Sequence, residues 1–400
     1  MNLNIIKNNS PCYNTKSVMY NFIKDNLDVV SISTEYKENF KNLFLIECPS
    51  SLYDFFSFGL PNEIIDLIKQ NKVKALICCI PEATWNFSKI ETLTKKYCKE
   101  NSIPIDSLLF LDSNILIKDC KEIKGFYVPH FLLSGGYMGR FILNGNFKNK
   151  NELNYIPTLP TNEEAKNTLD RENYFISFNR SNHRRHRIIL GCYFMEKNDD
   201  RILWSYLSSP GYMHGHDKPT KYQIKLMSDN MKKLNGVVPK QLDTHFLKNL
   251  EGFGTSENYD KENLSLNCYF DIVTETEFED TDKIFFTEKI LRPILNLHPF
   301  IVISSGGFLK HFKKFGFKTF DGLFDESYDD ITNKWERLDF ILKEIDSILS
   351  KPKEEVKELY KKYLDICIYN RDHLFNNLAP KKNGGEIYDL LKNEIMGELV

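Results

Sequence analysis

The chain has 400 residues, 42% of them apolar and 27% charged, with a formal net charge of −2. That is ordinary globular composition, long enough for two cores, with no global basic field to draw nucleic acid. No run approaches the roughly 20 apolar residues of a membrane span, and the opening Met1 to Ile6 lacks the basic-then-apolar pattern of a signal peptide.

Nine cysteines are scattered without C-x-x-C spacing, which points to free thiols in a reducing compartment, and so to a cytoplasmic protein. The adjacent Cys78 and Cys79 lie in an apolar run and read as core. The richness in Phe, Tyr, Asn, Lys and Ile reads as coding bias rather than function.

From the N-terminus, short branched runs alternate with amphipathic stretches. Val29–Ile32, Leu43–Ile46, Ala75–Ile80, Leu108–Leu111 and Gly125–Val128 predict buried strands. Asn62–Gln70 and Ser88–Lys99 predict helices, the first with Asn62 as its N-cap after Pro61. This is the repeating βα pattern of a parallel sheet. Ligands bind outside the carboxyl ends of such strands, so Glu47, after Ile46, and Glu82, after Ile80, are candidate general bases. Each reads also as a solvated loop carboxylate or a helix N-cap neighbour. Glu82 leads because Trp85 beside it is suited to line a sugar pocket.

The pair Gly135-Gly136 suits a tight turn. Residues 144–170 turn polar, with Pro157 and Pro160, as an interdomain linker does. A second βα series begins with the strand Tyr174–Phe178. The densest cationic segment of the chain follows it, Asn179 to Arg187, and leads into a helix over Ile188–Met195. Strand, basic loop and helix N-terminus suit a phosphate, with Arg180 nearest the strand end and Arg187 at the helix start. Other arginines here belong to a solvated face.

Arg201–Ser208 and Cys268–Thr274 predict strands, Tyr222–Leu234 a helix, and Glu275–Asp282 an acidic loop. His214 and His216 have no third ligand at metal-binding spacing, so no metal site is expected. Thr287 is placed to cap a helix starting with Glu288 and Lys289. Pro293 sits too deep for a first-turn proline, so either the helix kinks or regular helix starts later. A carboxylate at this point accepts from ribose hydroxyls and an ammonium neutralises phosphate; an ordinary Glu-Lys helix start reads the same.

Phe300–Ile303 is a buried strand, followed by Ser304-Ser305-Gly306-Gly307 and a helix over Phe308–Phe315 that Gly316 stops. Phe317–Phe320 predicts a short strand, Asp325–Asp329 an acidic turn, and two long helices follow over Lys334–Leu349 and Lys353–Leu374 before a last one.

Three pieces carry a family resemblance: Ser177 to Arg187, Phe285-Phe286-Thr287-Glu288-Lys289, and His298 to Gly307. Together they resemble the donor domains of α-1,3-fucosyltransferases and, more loosely, exostosins, which have the GT-B fold. Phe315–Phe320 and Asp325–Asp329 extend the match, so that it covers roughly residues 174–340, whereas the first half matches only in its βα pattern.

The resemblance implies two Rossmann-like α/β domains facing each other across a cleft: residues 1–165 for the acceptor, 170–350 for a nucleotide sugar, and 351–400 as C-terminal helices packing back on the first domain. It implies diphosphate contacts from Arg180 and Lys289 and a ribose contact from Glu288, with Thr287, Arg187 and Gly306 beside them. It also implies a carboxylate base in the first domain, taken as Glu82. The implied activity is transfer of a sugar from a GDP- or UDP-linked donor to an acceptor hydroxyl, inverting, with no metal and no cofactor. Two alternatives stand beside it: a viral or phage enzyme that glycosylates modified DNA bases, favoured by the Arg/His-rich segment and opposed by the near-neutral charge, and a non-catalytic module that binds a nucleotide or glycan.

Overall fold

The computed structural model describes residues 3–6, 29–48, 51–79, 84, 86–129, 160–179, 184–206, 218–237, 264–278, 283–378 and 386–399. They form an α/β protein with two separate parallel sheets.

The first sheet has strands β1 (Leu3–Ile6), β2 (Val29–Ser33), β3 (Lys41–Glu47), β4 (Val73–Cys79), β5 (Leu108–Asp112) and β6 (Lys124–Tyr127), in the order β2-β1-β3-β4-β5-β6. Every pairing is parallel. Alternate residues face opposite sides. Phe44, Ile46, Ala75, Ile77 and Phe110 pack on helices α1 (Tyr53–Phe58), α2 (Asn62–Lys69) and α3 (Phe87–Asn101), while Leu43, Leu45, Leu76 and Leu109 join the larger core shared with the C-terminal half.

In α3 the apolar face is Ile90, Thr94 and Cys98, four residues apart, and the Asn86 side chain caps it by accepting from Lys89 N–H. In α2 the cap differs from the expectation. Pro61 holds the N-cap position with no side-chain bond, and Asn62 is the first helical residue.

The second sheet has β7 (Asn173–Asn179), β8 (Ile202–Tyr206), β9 (Cys268–Thr274) and β10 (Phe300–Ile303), in the order β10-β9-β7-β8, again parallel throughout. Counted from its own first strand this is 2-1-3-4, the order with which the first sheet also begins. Both sheets therefore reverse direction between their first and third strands, at β1/β3 and at β7/β9. Such switch points open a crevice at the carboxyl ends.

Helices α4 (Asn162–Asn167), α5 (Arg185–Lys197), α6 (Lys221–Val237), α7 (Leu291–Asn296), α8 (Phe308–Lys314), α9 (Lys334–Leu349), α10 (Lys353–His373) and α11 (Glu386–Glu398) complete the described chain. In α9, Trp335, Leu338, Ile341, Leu342, Ile345 and Ile348 recur at three- and four-residue steps and are buried. Helix α11 lies against the far edge of the first sheet, where Lys124 meets Glu398 at 2.5 Å and Lys118, just before β6, meets Glu394 at 2.9 Å.

Two expectations near the site are resolved. Of the two readings of Pro293, the later helix start holds: Thr287 opens a 3-10 turn, Glu288–Ile290, and α7 starts only at Leu291, so Pro293 falls in the first turn, where its missing N–H does no harm. Phe317–Phe320 is not a strand. Its backbone is held by a side chain instead: Asn370 Oδ1 accepts from Lys318 N–H and Asn370 Nδ2 donates to Lys318 O, both at 2.8 Å. Gly316 does end α8, with φ +85°. The eight described cysteines are free thiols. No helix among the described residues is long and apolar enough to cross a membrane.

Candidate functional site

At the β7/β9 switch point the last residues of both strands are polar and buried. Thr274 Oγ1 donates to Asn179 Oδ1 at 2.6 Å, and Asn179 Nδ2 donates to Ser177 Oγ at 3.2 Å. One residue further, Glu275 is fully buried. Its N–H donates to Ile303 O at 3.0 Å, which extends the β9/β10 pairing by a step.

The Glu275 carboxylate accepts from Thr287 N–H at 3.3 Å, from Thr276 N–H at 3.3 Å, and in a short bond from the Thr287 hydroxyl. A buried carboxylate needs such donors to stay in place. Glu275 is thus what seats the Thr287-Glu288-Lys289 turn over the strand end. Lys289 Nζ, half-buried, reaches back to the hydroxyls of Thr276 at 3.3 Å and Thr287 at 3.4 Å.

Cations surround this point. Arg187 is buried and donates through Nη2 to Thr274 O at 3.3 Å and Glu275 O at 3.2 Å. His186 Nε2 lies 3.3 Å from the same Glu275 O, and its ring packs on Phe278 with centroids 4.7 Å apart. Burial, with Arg187, Arg184 and Lys334 close by, holds the His186 imidazole well below its ordinary pKa, so it is neutral at physiological pH. Glu277 takes Lys283 at 3.1 Å and Arg184 at 3.7 Å. Arg337 is buried and braces the turn after β10 through Ser304 O, at 3.1 Å.

The turn after β10 uses its helix-start amides within the chain. Gly306 is buried there and Gly307, at φ +82°, is the N-cap of α8. The first amides of α8 are already satisfied from within the chain. Asp329 accepts from Leu309 N–H and Lys310 N–H, both at 3.0 Å, and Gly307 N–H donates to Asp329 O at 2.8 Å. A carboxylate of the protein sits where an anion would bind. Glu326 has a similar duty, accepting from Phe320 N–H at 2.7 Å and the Thr319 hydroxyl at 2.8 Å. The acidic stretch Asp325–Asp329 is therefore scaffolding.

Among the described residues the first sheet meets this site at a buried polar cluster. Asp112, the last residue of β5, accepts from Thr84 N–H at 3.1 Å and Asn114 N–H at 2.7 Å. Burial pushes its carboxyl up to about 7, against the pull of those bonds and of Lys283. Asn114 then bonds to Ile284 N–H at 3.1 Å, in the stretch that runs into Thr287. Tyr127 also packs on Phe315, with ring centroids 5.7 Å apart.

Of the residues picked from the sequence, Thr287, Lys289, Arg187 and Gly306 fall at the carboxyl end of the second sheet. Arg187 differs in what it touches: its guanidinium is engaged by main-chain carbonyls at the end of β9. Glu288 lies in the 3-10 turn between Thr287 and Lys289. Glu47, half-buried, ends β3 at the switch point of the first sheet. Glu82, Arg180, His214, His216 and the pair Gly135-Gly136 lie outside the described residues.

Sequence reasoning passed over Glu275, Asp112 and Asn114. The rule used for Glu47 and Glu82, a carboxylate just past a parallel strand, applies equally to Glu275 and Asp112. Among the described residues no group of three His, Cys, Asp or Glu side chains is placed to hold a metal ion.

The fold and site describe an α/β protein with two parallel sheets, polar at the second switch point. No family model matches the chain, and no curated protein matches it. Among solved structures, an alpha1,3-fucosyltransferase is similar at 13% identity over all of this chain and 90% of that one, with a TM-score of 0.40. The same enzyme with GDP gives 12% identity, the same coverage and a TM-score of 0.39. An E. coli trehalose-6-phosphate protein bound with UDP-2-fluoro glucose gives 11% identity over 90% of this chain and 73% of that one, with a TM-score of 0.39.

Proposed function

We propose that the chain is a glycosyltransferase that moves a sugar from a GDP- or UDP-linked donor to an acceptor hydroxyl, with inversion and without a metal or cofactor. The observation that carries this reading is the seat at the β7/β9 switch point: a buried carboxylate, Glu275, fixes Thr287 and so places the Lys289 ammonium over the strand ends. A parallel sheet offers a crevice there, and a fixed cation in it suits a diphosphate.

In this reading residues 1–165 bind the acceptor, 170–350 the donor, and 351–400 brace the two across a cleft. Lys289 and Arg180 neutralise the diphosphate, and Glu288 accepts from ribose hydroxyls. Thr287 and Gly306 shape the turns that approach the donor. Arg187 and neutral His186 hold the floor through the Glu275 carbonyl. The acceptor oxygen attacks the anomeric carbon as its bond to the diphosphate breaks, and the proton passes to a carboxylate of the first half, Glu82. Charge growing on the leaving diphosphate meets groups already aligned. The protein would act in the cytoplasm.

The test is a thermal-shift screen with GDP, UDP, CMP and dTDP, each with and without its sugar. A ligand that binds only the folded state stabilises by about 2.7 kcal/mol at a hundredfold excess over its Kd. The expected result is a shift with one nucleotide that Lys289→Ala abolishes. A shift with none of them, in a folded protein, overturns the donor site.

A further inference from the structure

Asn114 lies just past the carboxyl end of β5, and its side chain is fully buried. Nδ2 donates to Thr84 O at 2.8 Å, while Oδ1 accepts from Ile284 N–H at 3.1 Å and from Leu116 N–H at 3.2 Å. The main chain reinforces the link: Ile115 N–H donates to Ile284 O at 3.3 Å, and Asn114 and Phe285 form an antiparallel bridge. Thr84 is held from its other side as well, its N–H by Asp112 and its hydroxyl by Leu52 N–H at 3.0 Å. One carboxamide therefore joins two stretches that are 30 and 170 positions away from it in sequence.

We infer that Asn114 is a positioning residue, setting the separation between the Thr84 stretch of the first sheet and the Thr287-Glu288-Lys289 turn of the second. The inference deepens the proposed transferase reading and rests on it for its catalytic consequence, since the two stretches flank the places where that reading puts acceptor and donor. The chemistry of the site selects an amide. Thr84 O demands a donor and Ile284 N–H demands an acceptor, on one short side chain. Aspartate has only acceptors when ionised and would set one of them against the Thr84 carbonyl. Serine is too short to reach both sides, and glutamine adds a methylene to a site with no exposed surface. Group transfer depends on this separation because a misplacement of 1 Å costs on the order of 10²-fold in rate.

The test combines hydrogen exchange with kinetics on the full chain, comparing wild type, Asn114→Ala and Asn114→Asp. In Asn114→Ala, peptides covering Thr84 and residues 283–287 should both exchange at least about tenfold faster, with β7 and β9 unchanged. In Asn114→Asp, which keeps the acceptor for Ile284 N–H, only the Thr84 peptide should speed up. With the nucleotide-sugar found by the screen, kcat should fall about 10²-fold in Asn114→Ala while nucleotide affinity stays close to wild type.

Unchanged exchange at 283–287 in Asn114→Ala, or equal loss of kcat and nucleotide affinity, overturns the inference. Should Asn114→Ala fail to fold, the selective response of Asn114→Asp supports it and a uniform rise in exchange across the chain overturns it. If wild type turns over no nucleotide-sugar, the transferase reading fails alone and the exchange pattern still decides whether Asn114 couples the two stretches.

Discussion

The two sheets begin with the same strand order, 2-1-3-4, and yet end differently. The second sheet closes its switch point with a hydrogen-bonded polar set, Ser177, Asn179, Thr274 and Glu275, and surrounds it with Arg187, Lys283, Lys289 and Arg337. The described strand ends of the first sheet are sparser. They comprise Glu47, the thiols Cys48, Cys78 and Cys79, and one buried carboxylate, Asp112, whose donors come from its own loops. Strand order determines where a crevice opens, and the residues just past the strands determine what it holds. By that measure the proposed reading puts the anion at the second sheet, while the described ends of the first sheet fix its own loops.

The largest effect should come from the first sheet. Asp112 is buried with its carboxyl raised to about 7, from an unfolded value near 3.8. Between those two pH values the folded state holds the extra proton, so stability falls as pH rises through that window. Asp112→Asn keeps an acceptor for Thr84 and Asn114 without the charge. Its stability relative to wild type should therefore climb from pH 4 to pH 8, by at most about 4 kcal/mol. Urea titrations at a series of pH values measure it, and a flat difference would show that Asp112 meets no such cost.

The second sheet should respond in the opposite sense at Glu275. Glu275→Ala strands the buried Thr287 amide and hydroxyl and the half-buried Thr276 amide, and should cost about 3 kcal/mol at neutral pH together with donor binding. Thr287→Val, which removes only the hydroxyl, should cost less and keep part of the binding. If Glu275→Ala leaves nucleotide affinity intact, the seat is structural and the contrast between the sheets loses its functional meaning.

Lys289→Ala separates binding from folding. The side chain is half-buried and meets hydroxyls, so stability should change by about 0.5 kcal/mol or less. Nucleotide affinity should fall roughly ten- to a hundredfold by calorimetry. Equal losses in both would place Lys289 among the supports of the turn.

How much of this was legible follows from the range of each interaction. Strands β2 to β10 stand out as short apolar runs, and burial on both faces demands them in the central strands. Strand β1 did not, being four residues with Asn4 among them, whose amide is satisfied by Asn42 Oδ1 at 2.8 Å. Phe317–Phe320 reads as a strand because Phe317 and Phe320 are buried, but Phe317 stacks on Phe312, Phe320 meets Phe300 edge to face, and the backbone borrows Asn370 as a neighbour.

In the candidate site, Thr287 and Lys289 were legible as a motif. Glu275 was hidden at the head of an acidic run, where its neighbours made it look solvated. The link from Asn114 to Ile284 joins residues that no local pattern connects, and only the fold reveals it.

The smallest effect tests the edge where the halves meet again. Helix α11 reaches the first sheet with Lys118–Glu394 at 2.9 Å and Lys124–Glu398 at 2.5 Å, both lysines about half exposed. Exposed pairs of this kind contribute about 0.2–1 kcal/mol and weaken with salt. Ile395 and Leu399 of the same segment are buried, and a buried aliphatic side chain is worth roughly 1.5–3 kcal/mol. Apolar contact should therefore hold the helix, with the ion pairs setting its register on β6. A double-mutant cycle on Lys124 and Glu398 should give a coupling under about 1 kcal/mol that shrinks between 0.05 and 1 M salt. A coupling that is larger and indifferent to salt would mean that this edge is desolvated and that charge, rather than burial, fastens the C-terminal helix to the first sheet.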